Sequence, residues 1–394
     1  MISTPPLEAR HHPSGLNTLF NGDKLPFANY VALNRNMLYS AHTRLGNADV
    51  EKIVDGNAPF ELKPTAAGSA GKYKTWRRGV LLTHGLTDSP YFMRHLAAFF
   101  QENGFRVMAV LLPGHGTQPG DLLDVAWQEW AKAVAYGADR LAEEVDEIYL
   151  GGFSAGGALS VYQSLRDNRI QGLFLFSPAL KISPRAEWAN LHKFYSWMAP
   201  PAKWVNIMPD RDIYKYESFP KNAAAQMYAL TQEFSEQSRL HKLNIPVFAA
   251  ASADDATVEP SATLNFMMRM PHPSSKLVLY TTDEGKHAKG FPSEKLELVN
   301  SAIPEQKILS SAHTAIVLPP EDMHYGAKGE YSNCMHYYPG DMGKYAACIE
   351  HPEQTLQGEL TEQNLKAGIL RRLMYNPNFA ALKVFMRQFI DKLP

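Results

Sequence analysis

Gly152-Phe153-Ser154-Ala155-Gly156 follows the apolar run Glu147-Ile148-Tyr149-Leu150-Gly151 and precedes Gly157-Ala158-Leu159-Ser160-Val161-Tyr162, which reads as a helix. A strand, a sharp turn carrying serine and a helix are the context that a nucleophile elbow requires. The turn forces the serine into a strained backbone geometry, and a side chain at either flanking position would collide with neighbouring backbone. Glycine at 152 and 156 removes the Cβ that would clash. The helix behind the serine points its first amides at the site, which suits a developing negative charge. Taken alone, the pentapeptide also fits a small-residue turn that packs a helix against a sheet, so its neighbours decide.

Upstream, Arg78-Gly79-Val80-Leu81-Leu82-Thr83 is a short apolar strand that ends in His84-Gly85-Leu86-Thr87-Asp88-Ser89-Pro90. A second run, Arg106-Val107-Met108-Ala109-Val110-Leu111-Leu112, ends in Pro113-Gly114-His115-Gly116. Between them, residues 91–103 carry Phe92, Leu96, Phe99 and Phe100 at helical spacing, and residues 125–144 read as another helix. Strands alternating with helices predict an α/β fold, a parallel sheet with helices on both faces.

His-Gly after one strand, Pro-Gly-His-Gly after the next and Gly-x-Ser-x-Gly after the third is a rarer combination than any one of them. It resembles the α/β-hydrolase superfamily. Within that superfamily, His84-Gly85-Leu86-Thr87-Asp88-Ser89-Pro90-Tyr91 and Pro113-Gly114-His115-Gly116-Thr117 are similar to the bacterial carboxylesterases and monoacylglycerol lipases. The resemblance is strongest over residues 78–178 and resumes near Ile245. It is weak over the first part of the chain and after Pro319. It implies an α/β-hydrolase fold, a mostly parallel central sheet flanked by helices, with a cap insertion and N- and C-terminal extensions. It also implies the chain order serine, acid, histidine.

The acid belongs just past a strand. Ile245-Pro246-Val247-Phe248-Ala249-Ala250-Ala251-Ser252 is such a strand, and Ala253-Asp254-Asp255-Ala256-Thr257-Val258 follows it. Relatives place the acid three residues before an apolar residue, which favours Asp255 ahead of Val258. Asp254 then caps or braces the turn. For the histidine, residues 306–319 resemble the strand and loop that carry it, with His313 in place and Glu321-Asp322 beyond. Residues 275–280 are also a strand, and His287 beyond it is the rival. A short loop after a strand holds a ring more rigidly, which favours His313; His287, among Lys286, Lys289 and glycines, reads as a solvated loop. His84 and His115 read as loop-shaping residues, and His11-His12 as a flexible terminus.

The resemblance implies that Ser154 attacks an ester carbonyl, His313 takes its proton and Asp255 orients the imidazole. It also implies that the backbone N–H groups of Leu86 and Ala155 hold the oxyanion. The expected function is hydrolysis of carboxylic esters with a small or medium acyl chain, monoacylglycerols and lysophospholipids among the candidates. Thioester hydrolysis and acyl transfer use the same constellation. A silent hydrolase fold that binds a small ligand or a partner is the alternative, and an intact Ser154, Asp255 and His313 argue against it. No cofactor is expected. No metal is expected either, since no His-Glu-x-x-His pattern occurs.

Composition sets the outer limits. The 394 residues carry a net charge of −1, which offers no electrostatic basis for binding nucleic acid or an anionic membrane. No apolar run approaches the roughly 18 residues of a membrane span. Met1-Ile2-Ser3-Thr4-Pro5-Pro6 lacks the basic and apolar regions of a signal peptide, so the expected compartment is the cytoplasm, or the periplasm or exterior if a leader has been removed. Cys334 and Cys348 are accordingly read as reduced thiols, close enough in sequence to pair after export.

The expected organisation is an N-terminal extension and linker over 1–72, helical in part over 16–45 and flexible over 65–71. The core follows in two parts, 73–179 and 241–319, around a cap insertion over 180–240. The cap is rich in aromatics: Trp188, Phe194, Tyr195, Trp197, Trp204, Tyr214 and Tyr216, with Met198. Some of these are expected to face the site. Residues 320–394 are read as a loop and a pair of helices, 359–375 and 378–393, broken at Pro377 and packed on the core.

Overall fold

The computed structural model describes residues 5–17, 19–181, 200–240 and 243–393. They divide into two compact units.

The first unit comprises Ser3–Leu173 and Ile182–His241. Its strands are β1 (Phe60–Leu62), β2 (Trp76–Thr83), β3 (Phe105–Val110), β4 (Val145–Phe153) and the start of β5 (Ile170–Phe176), in the lateral order β1-β3-β2-β4-β5. β2 runs parallel to β3 and to β4, and the short β1 is antiparallel to its neighbour β3. Every residue of β3 is buried, and so are the last five of β2. Parallel strands covered on both faces have no solvent side, which is why these segments read as continuous apolar runs without alternation. Arg106 is the one charge inside β3, and it pairs with Glu61 of β1 and with Glu144.

The helices of this unit are α1 (Phe27–Arg44), α2 (Val50–Asn57), α3 (Arg94–Glu102), α4 (Trp127–Glu144), α5 (Ala155–Ser164) and α6 (Lys221–Leu240). In α4, Trp127, Trp130, Val134, Ala138 and Leu141 recur every three or four residues and are buried. That stripe packs on β2, β3 and β4, as helical periodicity requires. A small antiparallel pair, β6 (Trp204–Asn206) and β7 (Phe219–Pro220), precedes α6. Of the aromatics expected to line a pocket, Trp188, Phe194, Tyr195 and Trp197, with Met198, lie outside the described residues; Trp204 and Tyr214 are buried.

Two expectations for the N-terminal part are corrected. The first is His11, which is buried rather than in a loose terminus: its Nε2 lies 3.2 Å from Ser218 Oγ and 3.4 Å from Asp210 Oδ2. A partner far along the chain supplied what the local sequence could not show. The second is the stretch 65–71, which is tied down by backbone bonds from Thr65 to Gln101 (3.2 Å) and from Arg77 to Ser69 (2.8 Å).

The second unit comprises Phe174–Lys181 and Lys242–Pro394. The end of β5 lies beside β8 (Val247–Ser252), followed by β9 (Lys276–Thr281) and β10 (Leu296–Asn300). β8, β9 and β10 are mutually parallel along the sheet. β11 (Leu356–Gly358) and β12 (Leu370–Arg372) form a separate parallel pair. The helices are α7 (Pro260–Met268), α8 (Met342–Glu350), α9 (Glu362–Ala367) and α10 (Phe379–Ile390). α10 packs on β9, and its Phe389 ring contacts Phe174 and Phe248 at 5.2 and 5.6 Å. Among the described residues no helix is long and apolar enough to cross a membrane.

Three further expectations are corrected here. The strand expected at the start of 306–319 is not formed; Ile308 makes isolated bridges to Ile303 and Gln357, and the strand after β9 is β10. The helix expected over 359–375 is only α9, which stops before Gly368, and the chain then enters β12. In this stretch Leu370 and Leu373 are buried around half-buried Arg371 and Arg372, a pattern set by the partner β11. Finally, Cys334 and Cys348 are joined in a disulfide rather than held as free thiols. Both sulfurs are buried in a cluster with Tyr337 and Tyr345, so the apolar packing that brings them together is not visible in their sequence spacing. Such a bond persists in oxidising surroundings.

Candidate active site

Ser154 closes β4 and caps α5, with φ 53° and ψ −114°. That is a costly conformation for a residue with a side chain, and it persists only where the surroundings enforce it. The two glycines are what make it possible. A Cβ on Gly152 would lie 2.2 Å from the Gly156 backbone, and one on Gly156 would lie 2.0 Å from the Thr83 carbonyl oxygen at the end of β2. The turn is therefore pressed against the neighbouring strand's end. Ser154 is 8% exposed.

The loop after β2 comes to the same place. A Cβ on Gly85 would lie 3.2 Å from the Ser154 Cβ. Next to these two residues stand the N–H groups of Leu86 and Ala155, and neither donates to a backbone carbonyl in the loops and caps among the described residues. The Ala155 N–H heads α5, where no intrahelical carbonyl can reach it. Ser154, Ala155 and the Gly85-Leu86 turn thus come together in the first unit.

The loop is braced from two directions. Thr87 has φ 67°, and its carbonyl accepts from the Tyr216 N–H at 2.8 Å. Lys215 Nζ donates to Thr87 Oγ1 at 2.9 Å and pairs with the buried Asp88 carboxylate. His84 donates from Nδ1 to the Gly85 carbonyl at 2.8 Å and accepts from the Leu112 N–H at Nε2. Complete burial, then the neighbouring His115 and Lys215, hold its pKa well below the usual imidazole range, so the ring is neutral. His115 is likewise pushed down to about 4 by burial. Both act as loop-shaping groups.

Asp255 and His313 are brought together in the second unit. Asp255 follows β8, and His313 opens a short turn at His313–Ala315. His313 Nδ1 lies 2.7 Å from Asp255 Oδ2, with both side chains at most 5% exposed. Asp255 Oδ1 accepts from the N–H groups of Thr257 (2.7 Å) and Val258 (3.0 Å). Burial opposes its ionisation, yet the His313 ring and these donors outweigh burial and hold its pKa below the ordinary carboxylate value. Asp254 instead accepts from Thr282 Oγ1 at 3.0 Å and braces the turn. The rival His287 lies in a separate short turn, Lys286–Ala288.

Two residues in this neighbourhood escaped the sequence reading. Glu359 is fully buried and accepts the His313 N–H at 2.8 Å, and Arg372 pairs with it at 2.9 Å. Glu359 stands 46 positions from His313, and no local pattern marks it. Among the described residues no group of three or more His, Cys, Asp or Glu is placed to hold a metal ion.

A mostly parallel sheet flanked by helices, with a serine turning from a strand end into a helix, defines an α/β-hydrolase. Residues 75–288 match the Hydrolase_4 family, described as serine aminopeptidase S33, and the chain belongs to that family. The chain is 27% identical over 186 residues to a thermostable monoacylglycerol lipase of Bacillus sp. (strain H-257), covering 46% of this chain and 72% of that one. It is 32% identical over 90 residues to a carboxylesterase of Bacillus subtilis (strain 168), covering 23% of this chain and 37% of the other. A structure of the metagenome-derived lipolytic enzymes LipS and LipT is similar at a TM-score of 0.47 with 23% identity, covering 57% of this chain and 87% of that one. The protein is a carboxylic ester hydrolase of the serine esterase and lipase class.

Proposed function

We propose that the protein cleaves carboxylic esters through an acyl-enzyme on Ser154, with His313 as the base and Asp255 as its orienting acid. The buried 2.7 Å bond between His313 Nδ1 and Asp255 carries this reading. It commits Nδ1 as a donor, so Nε2 is the nitrogen that takes the proton. The Ser154 hydroxyl oxygen attacks the ester carbonyl carbon as its proton passes to Nε2. The imidazolium that forms is stabilised by ionised Asp255. The carbonyl oxygen becomes an oxyanion, and the Leu86 and Ala155 N–H groups receive it. The tetrahedral species expels the alcohol, which leaves with the proton from His313. Water then attacks the acyl-enzyme by the reverse route, giving the carboxylic acid and free Ser154.

For substrate, we propose monoacylglycerols and other esters of small or medium acyl chain, supported by the similarity to a monoacylglycerol lipase. Residues 200–240 are the described part of the cap expected over 180–240. In support, Tyr214 stacks on Tyr91 at 3.8 Å, and Lys215 and Tyr216 hold the loop that carries Leu86.

The test is turnover of p-nitrophenyl esters and monoacylglycerols of graded chain length, with fluorophosphonate labelling in parallel. Ser154→Ala is expected to abolish both turnover and labelling. His313→Ala should be as damaging as Ser154→Ala, because such groups act as a unit, while His287→Ala should retain activity. Substantial ester cleavage by Ser154→Ala, or a dead His287→Ala beside an active His313→Ala, overturns the assignment.

A further inference from the structure

We infer that Arg372 and Glu359, in the C-terminal part of the chain, form a positioning pair that sets both the His313 backbone and the Asp255 turn for ester cleavage. The inference rests on the assignment of His313 and Asp255 as base and orienting acid.

Glu359 has no exposed surface, and each of its carboxylate oxygens is engaged. Oε2 accepts the His313 N–H at 2.8 Å, and Oε1 accepts the Leu360 N–H at 2.8 Å. Arg372 Nη2 reaches both oxygens, at 2.9 and 3.0 Å. The same nitrogen donates to Thr257 Oγ1 at 2.5 Å. Thr257 in turn gives its N–H to Asp255 Oδ1. One guanidinium nitrogen therefore braces both turns from behind: the one that starts at His313, through Glu359, and the one that holds Asp255, through Thr257.

A buried carboxylate is costly unless it is paired and hydrogen-bonded, so the pair is bound to this geometry. Further support comes from behind. Arg372 lies in β12, and its N–H donates to the Asn333 carbonyl at 2.9 Å. Asn333 precedes Cys334, and Cys348 Sγ lies against the Leu370 carbonyl of the same strand. The disulfide-linked segment thus backs the strand that carries Arg372.

Neither Glu359 nor Arg372 contacts the reacting ester in this scheme. They act through the angle and distance at which His313 meets Asp255. Small misplacements of a catalytic group are costly: about 10²-fold for about 1 Å. The expected signature is a loss in kcat with KM nearly constant, since substrate binding is not their task.

The experiment compares steady-state kinetics of the full chain with those of Arg372→Met, Arg372→Lys and Glu359→Gln, with folding checked by circular dichroism. Arg372→Met is expected to lower kcat by about 10- to 100-fold at a KM within about twofold of wild type. All three contacts come from one nitrogen, and the lysine ammonium keeps the charge and up to three donors on a slightly shorter stem, so Arg372→Lys should recover part of the rate. If Arg372→Met does not fold, Glu359→Gln carries the test. It keeps the volume and an oxygen for the His313 N–H and removes the charge, and it should lower kcat in the same way.

Folded Arg372→Met at the wild-type kcat, a change confined to KM, or an Arg372→Lys no better than Arg372→Met overturns the inference; so does Glu359→Gln at the wild-type kcat. Ser154→Ala and His313→Ala are measured alongside. If they are dead while Arg372→Met is at the wild-type rate, only the positioning pair falls. If they remain active, the assignment beneath it falls first.

Discussion

Burial by itself raises the Asp255 pKa, but the His313 ring and two backbone N–H groups outweigh the loss of water and hold it below the ordinary carboxylate value. The consequence for stability has a definite sign. A carboxylate whose folded pKa lies below its unfolded value contributes stability that is complete above the unfolded pKa, about 4, and is lost as pH falls through the lower folded value. In Asp255→Asn nothing titrates at this position, so the variant lacks this contribution. Urea unfolding should give a wild-type advantage from this group at pH 7 that shrinks at pH 3; a difference independent of pH would show that the carboxylate is not depressed. At this scale much of the candidate site was legible. Ser154 announces itself because its turn needs glycine on both sides, and Asp255 because a strand end and a following apolar residue frame it. Glu359 did not, since its role depends on reaching a backbone N–H 46 positions away.

Among the elements, those of the alternating core were readable, as was α10 from its apolar face, while the short C-terminal strands were not. α4 carries a long one-sided stripe, and β2, β3 and β4 carry continuous apolar runs set between helices, patterns whose meaning does not depend on a partner. Residues 359–375 carry a short apolar pattern that fits a helix or a strand, and pairing with β11 decides it. The disulfide belongs to this scale. It closes a loop of sequence separation 14 between the end of one loop and α8. On the chain-entropy account, a loop of about 15 residues is worth about 3 kcal/mol. The double substitution Cys334→Ser with Cys348→Ser should lower unfolding free energy by about that amount in urea titrations. An unchanged midpoint would mean that the buried tyrosine cluster around the sulfurs holds the segment alone.

For the molecule as a whole, the N-terminal residues are part of the first unit's architecture. Ser14 gives its N–H and hydroxyl to buried Asp121 at 2.6 and 2.7 Å, Asn17 donates to the His115 carbonyl at 2.6 Å, and the Phe20 N–H reaches Glu129 at 2.8 Å. Removing residues 1–25 would leave those acceptors short of partners, at a cost on the order of 1–3 kcal/mol for each orphaned buried group. Calorimetry of the shortened chain should show a clearly lower Tm; an unchanged Tm would make the segment an ornament. The sequence by itself determined the parallel α/β core, the serine turn and the acid turn, because each is fixed by periodicity or by steric demands among near neighbours. Only the tertiary structure decided that His313 meets Asp255 across 58 positions, that the cysteines join, and that Glu359 and Arg372 stand behind the pair. Those contacts are made by chain folding back over long separations, where no local pattern carries the information.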